Sequence, residues 1–309
     1  MPENPTDRST ARRSGILLVD KPAGFTSHDV VARTRRLAGT RKVGHAGTLD
    51  PMATGLLILG LNSSTRLLTY LVGLDKEYYA TIRLGASTST DDAEGELVAA
   101  AAPEAVAAIT ATMLDEQLAR LTGPLQQVPS SVSAIKVDGK RAYARVRAGE
   151  SFELPARAVT VSALELLAKR SEPEHLDVDV RVECSSGTYI RALARDLGAA
   201  LGVGGHLIAL RRTRIGPFGI ADAAPLDDLD PTASLIRPAA AAAALFPTMT
   251  LDPGQVADLM HGKKVDIGAH RDQTPVAALA PDGRLVGLVT VFGSSAKALV
   301  NFPSDEVLR

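Results

Sequence analysis

Three side chains in this sequence have the type and setting to do chemistry: a carboxylate, Asp50; an imidazole, His45; and, far along the chain, a guanidinium, Arg191. Asp50 and His45 lie within the stretch 42–55, with Gly44, Gly47 and Gly55 around them and the apolar run Leu56 to Leu59 directly after. A glycine-rich stretch set between apolar elements reads as a shaped loop, and loops held by a rigid scaffold are where binding and catalysis concentrate. A carboxylate there can serve as base or nucleophile. Taken alone, however, Asp before Pro is an ordinary helix cap or turn, and a single His is more often a hydrogen-bonded structural residue. The glycine spacing fits neither a Walker loop nor a dinucleotide-binding fingerprint. Arg191 falls in the first turn of a helix whose apolar face is Ile190, Leu193, Ala194, Leu197 and Leu201. A cation at that end opposes the helix dipole, so an anion, carboxylate or phosphate, is expected opposite it.

These residues need elements to hold them. Gly15 to Val19 reads as a strand running into a turn at Asp20-Lys21-Pro22-Ala23-Gly24, and a helix capped by Thr26 or Ser27, with Asp29 at its positive end, continues to Gly39. Leu56 to Leu59 is a strand, Ser64 to Gly73 a helix, and Lys76 to Leu84 a strand rich in aromatic and β-branched residues. Ser87 to Asp92 is a polar loop whose Ser and Thr favour Asx and Ser/Thr turns over a metal site. Ala101 to Arg120 reads as one helix, and Gly123 to Ser133 as irregular. Asp138-Gly139 between short extended arms predicts a hairpin from Ser133 to Arg141, followed by a basic helix, Ala142 to Ala148. Leu176, Val178, Val180, Val182 and Cys184 alternate with polar residues as a half-buried strand, and Leu207 to Thr213 is another. Asp252-Pro253 caps a short helix, ended by Gly262, that leads into a small terminal region of strands around the Pro281-Asp282-Gly283 turn.

With 309 residues, 45% of them hydrophobic, the chain has ample material for a core. A single cysteine excludes an internal disulfide framework and a multi-cysteine zinc site. No apolar run approaches membrane-spanning length, and charges stand near the N-terminus where a signal peptide needs an apolar stretch, so a cytoplasmic protein is expected. The net charge of -1 averages over separated blocks. Arg33, Arg35, Arg36, Arg41 and Lys42; Lys136, Lys140, Arg141, Arg145 and Arg147; and Arg211, Arg212 and Arg214 form three basic clusters. Such clusters suit a polyanionic partner, although solvated charged faces are the commoner case.

Taken in order, Gly15 to Pro22, Val43 to Gly55, Lys76-Glu77-Tyr78, Cys184 to Arg191 and Leu210-Arg211-Arg212 closely resemble the motifs of bacterial tRNA pseudouridine synthases of the TruB family. The resemblance runs from about Gly15 to Arg214, and the terminal region resembles a PUA RNA-binding domain. It implies an α+β fold: a mixed, mostly antiparallel central sheet flanked by helices, plus a small mostly-β domain. The expected organisation is a disordered tail over 1–14, a catalytic domain over 15–237, a linker over 238–249 and a PUA-like domain over 250–309.

The resemblance further implies isomerisation of uridine 55 in the T-arm loop of tRNA to pseudouridine, without cofactor or metal, by a monomer that needs no protein partner and no membrane. Asp50 matches the catalytic aspartate, either as nucleophile at the ribose C1′ or as the base that takes the 2′ proton. Tyr78 matches the tyrosine that stacks on the target base, and Arg191 the arginine paired with the aspartate. An opposite charge within about 4–6 Å would hold Asp50 ionised. His45 matches a histidine that helps take the nucleotide out of its stack, while Lys21, Tyr189 and Leu210 match further pocket positions. Lys136 and Arg141 fall on the RNA-contacting insertion. Two alternatives remain open at this level: the catalytic subunit of a guide-RNA-directed pseudouridylation particle, and a tRNA-folding factor.

Overall fold

The computed structural model describes residues 13–130, 136–137, 140–141 and 155–303. The expected tail, apart from Arg13 and Ser14, lies outside them, as do the Asp138-Gly139 turn and the expected helix over 142–148. Arg13 and Ser14 are ordered rather than tail: the Arg13 carbonyl accepts from the Asn62 amide at 2.7 Å, and the buried Ser14 hydroxyl accepts from the Ser63 backbone N–H at 3.0 Å.

The chain divides into two compact units, one comprising Met1–Pro51, Gly55–Val72 and Pro217–Arg309, the other Met52–Thr54 and Gly73–Gly216. In the first, β1 (Gly15–Lys21) pairs antiparallel with β3 (Thr54–Leu61), and β2 (Val43–Ala46) lies antiparallel on β3. Helix α1 (Ser27–Leu37) connects β1 to β2. Its start follows from Thr26 and Asp29, which exchange hydrogen bonds as a capping box, an arrangement worth about 1 kcal/mol. Leu17 and Val19 of β1, Leu57 and Leu59 of β3 and Val30 and Val31 of α1 form one core. A 3-10 segment, Asn62–Leu67, precedes α2 (Leu68–Val72), so the helix expected over 64–73 is α-helical only in its last part.

In the second unit the strand order is β12-β4-β11-β10-β7, all antiparallel. The members are β4 (Lys76–Leu84), β7 (Gly123–Gln127), β10 (Arg157–Ser171), β11 (Leu176–Cys184) and β12 (Gly205–Ile215). Along β4, Tyr78, Ala80, Ile82 and Leu84 are buried, while Glu77, Thr81 and Arg83 are half-buried and Tyr79 is exposed. That second face is bound laterally: Arg83 pairs with Asp177 at 2.8 Å, Thr81 donates to Asp179 at 2.7 Å and Arg181 pairs with Glu77 at 2.9 Å. A small hairpin, β5 (Ala86–Thr88) with β6 (Leu97–Ala100), leads to α3 (Pro103–Ala107) and α4 (Ala111–Arg120).

The single helix expected over 101–120 is therefore two, because Thr110 leaves helical geometry and caps α4 by accepting from the Met113 N–H. Gly123 to Gln127, expected irregular, is strand β7, because β10 supplies a partner edge that no local signal reveals. A short hairpin of β8 (Lys136–Val137) and β9 (Lys140–Arg141) has the register Lys136↔Arg141 and Val137↔Lys140, as expected for the basic hairpin. Helix α5 (Ile190–Ala200) precedes β12.

Past β13 (Phe218–Gly219) and β14 (Ala224–Pro225), which is parallel to β1, the alanine run forms α6 (Pro238–Ala243) with Ala241 and Ala242 buried. The terminal five strands have the order β15-β17-β18-β19-β16: β15 (Thr248–Thr250), β16 (Val265–Asp266), β17 (Gln273–Leu279), β18 (Leu285–Phe292) and β19 (Ser295–Asn301). Helix α7 (Pro253–Met260) has the expected Asp252 cap and contributes Leu259 to the core with Val276, Val286 and Val289. A small β domain is thus present, as expected.

Candidate active site

The stretch around Asp50 is not all loop. Val43–Ala46 is strand, with His45 opposite Leu59 and Gly44 opposite Gly60. A Cβ on Gly44 would stand 3.0 Å from a terminal carbon of Leu68, so this glycine lets the helical segment after β3 cross close over β2. Packing within the protein thus accounts for this glycine. His45 meets His28 of α1 edge to face, ring centroids 5.5 Å apart.

Either side of Asp50 the backbone is tied to the turn between β1 and α1. The Ser27 hydroxyl donates to the Leu49 carbonyl (3.2 Å) and accepts from the Leu49 N–H (2.9 Å). The Pro51 carbonyl accepts from the Gly24 N–H at 2.9 Å and from the Lys21 ammonium at 3.2 Å. Lys21 is fully buried and also donates to the Pro22 and Phe25 carbonyls, at 2.9 and 2.7 Å. Its ammonium therefore ties the residue after Asp50 to the turn that follows β1.

The second unit supplies the other predicted residues. Tyr78 is buried on β4 opposite Arg212 of β12, and Leu210 of the same strand lies opposite Ala80, so these side chains share one face. A cleft of about 560 Å³ is lined by Met52, Thr54, Tyr79, Thr81, Leu210 and Arg211, and Tyr78 is not part of its wall. Tyr189 is the N-cap of α5, and its own side chain makes no capping hydrogen bond. The buried Gln127 amide grips its backbone at both groups, accepting from the Tyr189 N–H at 2.8 Å and donating to its carbonyl at 3.1 Å.

Arg191 is 4% exposed and faces Asp92, itself 3% exposed, at 3.3 Å; it also donates to the Thr90 carbonyl at 2.9 Å. The carboxylate that faces this cation within its own unit is Asp92. Asp92 is set in turn by the Glu94 N–H at 3.1 Å and by the Thr90 hydroxyl. The polar run 87–92 therefore does form side-chain-supported turns, and one of its carboxylates has a second task that the sequence reading did not assign. Ser27, Gln127 and Asp92 carry little local signature, since a buried polar residue in a turn or strand is defined by distant partners; a capping Ser and an Asx-turn Asp are the nearest signals in the sequence. Asp50, Lys21 and His45 belong to the first unit, and Tyr78, Tyr189, Arg191 and Leu210 to the second. Lys136 and Arg141 stand directly opposite on the basic hairpin.

The basic cluster at Arg211, Arg212 and Arg214 is engaged inside the protein. Arg212 is 1% exposed, Arg211 donates to Thr54 at 3.4 Å, and Arg214 pairs with Glu183 at 3.5 Å. Beside it, burial and the Arg212 charge lower the Lys76 amine to about 8, and burial raises the Cys184 thiol to about 11. Among the described residues no cluster of His, Cys, Asp and Glu could hold a metal ion, and no helix is long and apolar enough to cross a membrane.

Comparison with known proteins agrees with this architecture. Residues 35–190 match the N-terminal domain of TruB-family pseudouridylate synthases, residues 191–248 the C-terminal domain of tRNA pseudouridylate synthase B, and residues 246–303 the C-terminal domain of tRNA pseudouridine synthase II. A tRNA pseudouridine synthase B of Leifsonia xyli is 63% identical over 296 residues, covering 95% of this chain and 98% of the relative. That of Streptomyces griseus is 52% identical over 299 residues, with 95% and 98% covered. Among solved structures, an H/ACA RNP bound to a substrate RNA containing 2′-deoxyuridine shares the fold at TM-score 0.70 and 23% identity, covering 97% of this chain and 88% of that one. A Cbf5-Nop10-Gar1 complex aligns at TM-score 0.68 and 26% identity, covering 95% and 85%. With its matched domains running from residue 35 to residue 303 and such relatives along nearly its whole length, the chain belongs to the TruB family of pseudouridylate synthases.

Proposed function

We propose that this protein converts uridine 55 in the T-arm loop of tRNA to pseudouridine, with Asp50 as its catalytic carboxylate. The observation that carries the assignment is the loop at Asp50, held at Leu49 on one side and Pro51 on the other by a single turn of the same unit. A reacting group needs such fixation, and a surface Asp does not. The relatives named tRNA pseudouridine synthase B, at 52 to 63% identity, support tRNA as substrate.

The C1′–N1 glycosidic bond of the target uridine breaks, the uracil turns, and C5 bonds to C1′. N1 gains a proton and C5 loses one, so the reaction is an isomerisation without net redox change. Asp50 either attacks C1′ or removes the 2′ proton, and Arg191 favours its ionised form. Tyr78 stacks on the base, Leu210, Tyr189 and Lys21 complete or support the pocket, and His45 occupies the space that the flipped nucleotide leaves. Lys136 and Arg141 engage RNA phosphates. The protein works as a monomer in the cytoplasm, without cofactor. The domain plan that goes with this reading is catalytic over 15–237, linking over 238–249 and RNA-binding over 250–309.

Reverse-transcriptase mapping of an unmodified tRNA transcript tests the assignment. Wild-type protein marks uridine 55, and Asp50→Asn marks nothing while binding tRNA within several-fold of wild type, since phosphate contacts supply most of the affinity. Turnover by Asp50→Asn would sink it. The likeness to the H/ACA particle structures keeps guide-directed action as the second reading. Activity on a bare T-arm stem-loop, with no other component, decides for the first.

A further inference from the structure

We infer that Ser27 is a positioning residue for the reaction, holding the peptide that carries Asp50 through a two-way hydrogen bond to Leu49. The inference rests on Asp50 being the catalytic carboxylate. Ser27 is 1% exposed and Leu49 3% exposed, so water does not substitute for either partner. A hydroxyl has one hydrogen to give and lone pairs to receive with. Ser27 uses both functions on one residue, giving to the Leu49 carbonyl at 3.2 Å and receiving the Leu49 N–H at 2.9 Å.

The consequence is geometric. The Leu49 carbonyl and the Asp50 nitrogen belong to one planar peptide unit, so fixing that oxygen fixes the plane from which the Asp50 side chain departs. The oxygen of Pro51 is fixed separately by Gly24 and Lys21. Both anchors come from the short stretch between Lys21 and Ser27, whose last residues begin α1 under the Thr26–Asp29 capping box. Two separate anchors thus hold the backbone on either side of Asp50. Loss of Ser27 leaves the Pro51 anchor in place and lets the Leu49–Asp50 peptide tilt. A displacement of about 1 Å at a reacting group can cost on the order of 10²-fold in rate.

Single-turnover rates and binding on tRNA transcript test this with four variants. Ser27→Ala is expected to slow the chemical step by about 10²-fold with tRNA affinity within about threefold of wild type. Ser27→Thr, which keeps the hydroxyl, recovers most of the rate. Thr26→Ala removes the neighbouring helix cap without touching Leu49; it lowers the melting temperature yet keeps the rate, which separates positioning from mere loss of stability. Hydrogen exchange at the Leu49 amide rises in Ser27→Ala and not in Thr26→Ala. A Ser27→Ala rate equal to that of Thr26→Ala overturns the inference. Turnover by Asp50→Asn, the fourth variant, overturns the assignment of Asp50 instead, whatever Ser27 does.

Discussion

Arg191 and Asp92 are both nearly inaccessible and stand 3.3 Å apart as a buried ion pair. Removing one partner of such a pair typically costs about 3–5 kcal/mol, because the remaining charge stays in a low-dielectric site. Asp92→Ala is therefore expected to lower the melting temperature and to displace Arg191 enough to reduce turnover strongly. Asp92→Asn, which keeps hydrogen-bonding capacity, falls between it and wild type in both respects. A turnover rate for Asp92→Ala equal to wild type would show that Arg191 keeps its place without this carboxylate. Lys76 offers a different reading at the same scale. Its amine titrates near 8, lowered mainly by burial and further by Arg212. A lysine depressed in the fold carries a penalty that is complete below about 8 and disappears as pH rises toward the ordinary value of 10.5, where the unfolded chain also loses its proton. Lys76→Met should then gain melting temperature over wild type at pH 7, with the difference shrinking between pH 8 and 10. A difference that stays constant across that range would refute the buried cation.

At the scale of elements, α5 is seated on the start of β12 with backbone against backbone. A Cβ on Gly198 would meet the Gly204 carbonyl carbon at 2.1 Å and the Gly205 nitrogen at 2.2 Å. The Gly198 carbonyl also accepts from the Val203 and Gly204 N–H groups, both at 3.0 Å. Backbone cannot move aside as a flexible side chain can. Gly198→Ala must shift the helix that carries Arg191, at a cost of about 1–3 kcal/mol or more. We expect reduced stability by calorimetry together with a fall in kcat larger than any rise in KM. The helix was legible in its apolar spacing, and so was its awkward arginine. Its seat was not, because a glycine in a helix pattern reads as a local weakness until the facing turn is known. Strand β7 teaches the same lesson: Gly123 to Gln127 has turn-forming composition, and only pairing with β10 makes it a strand that can deliver Gln127 to Tyr189.

For the molecule as a whole, the net charge of -1 says little about an RNA partner, since the clusters behave differently once folded. Arg212 is internal and Arg33 pairs with Asp227 at 2.8 Å, whereas Lys136 and Arg141 sit opposite one another on a hairpin. Lys136→Ala and Arg141→Ala should each weaken tRNA binding and reduce the slope of log affinity against log salt by about 1. An unchanged slope in both variants would take the hairpin out of the interface. What the sequence determined by itself is what is written in local order: the long motifs around Asp50, Tyr78 and Arg191, the period-2 and helical runs, and caps such as Asp252. These rest on neighbours a few residues away, so a linear reading reaches them. The tertiary structure alone decided that Ser27 clasps Leu49, that Asp92 answers Arg191 and that Gln127 grips Tyr189. Each joins a buried polar group to a backbone or a charge 22, 99 or 62 residues distant. Such partners are selected by the cost of leaving a buried polar group unsatisfied, and that cost exists only once the chain has folded around it.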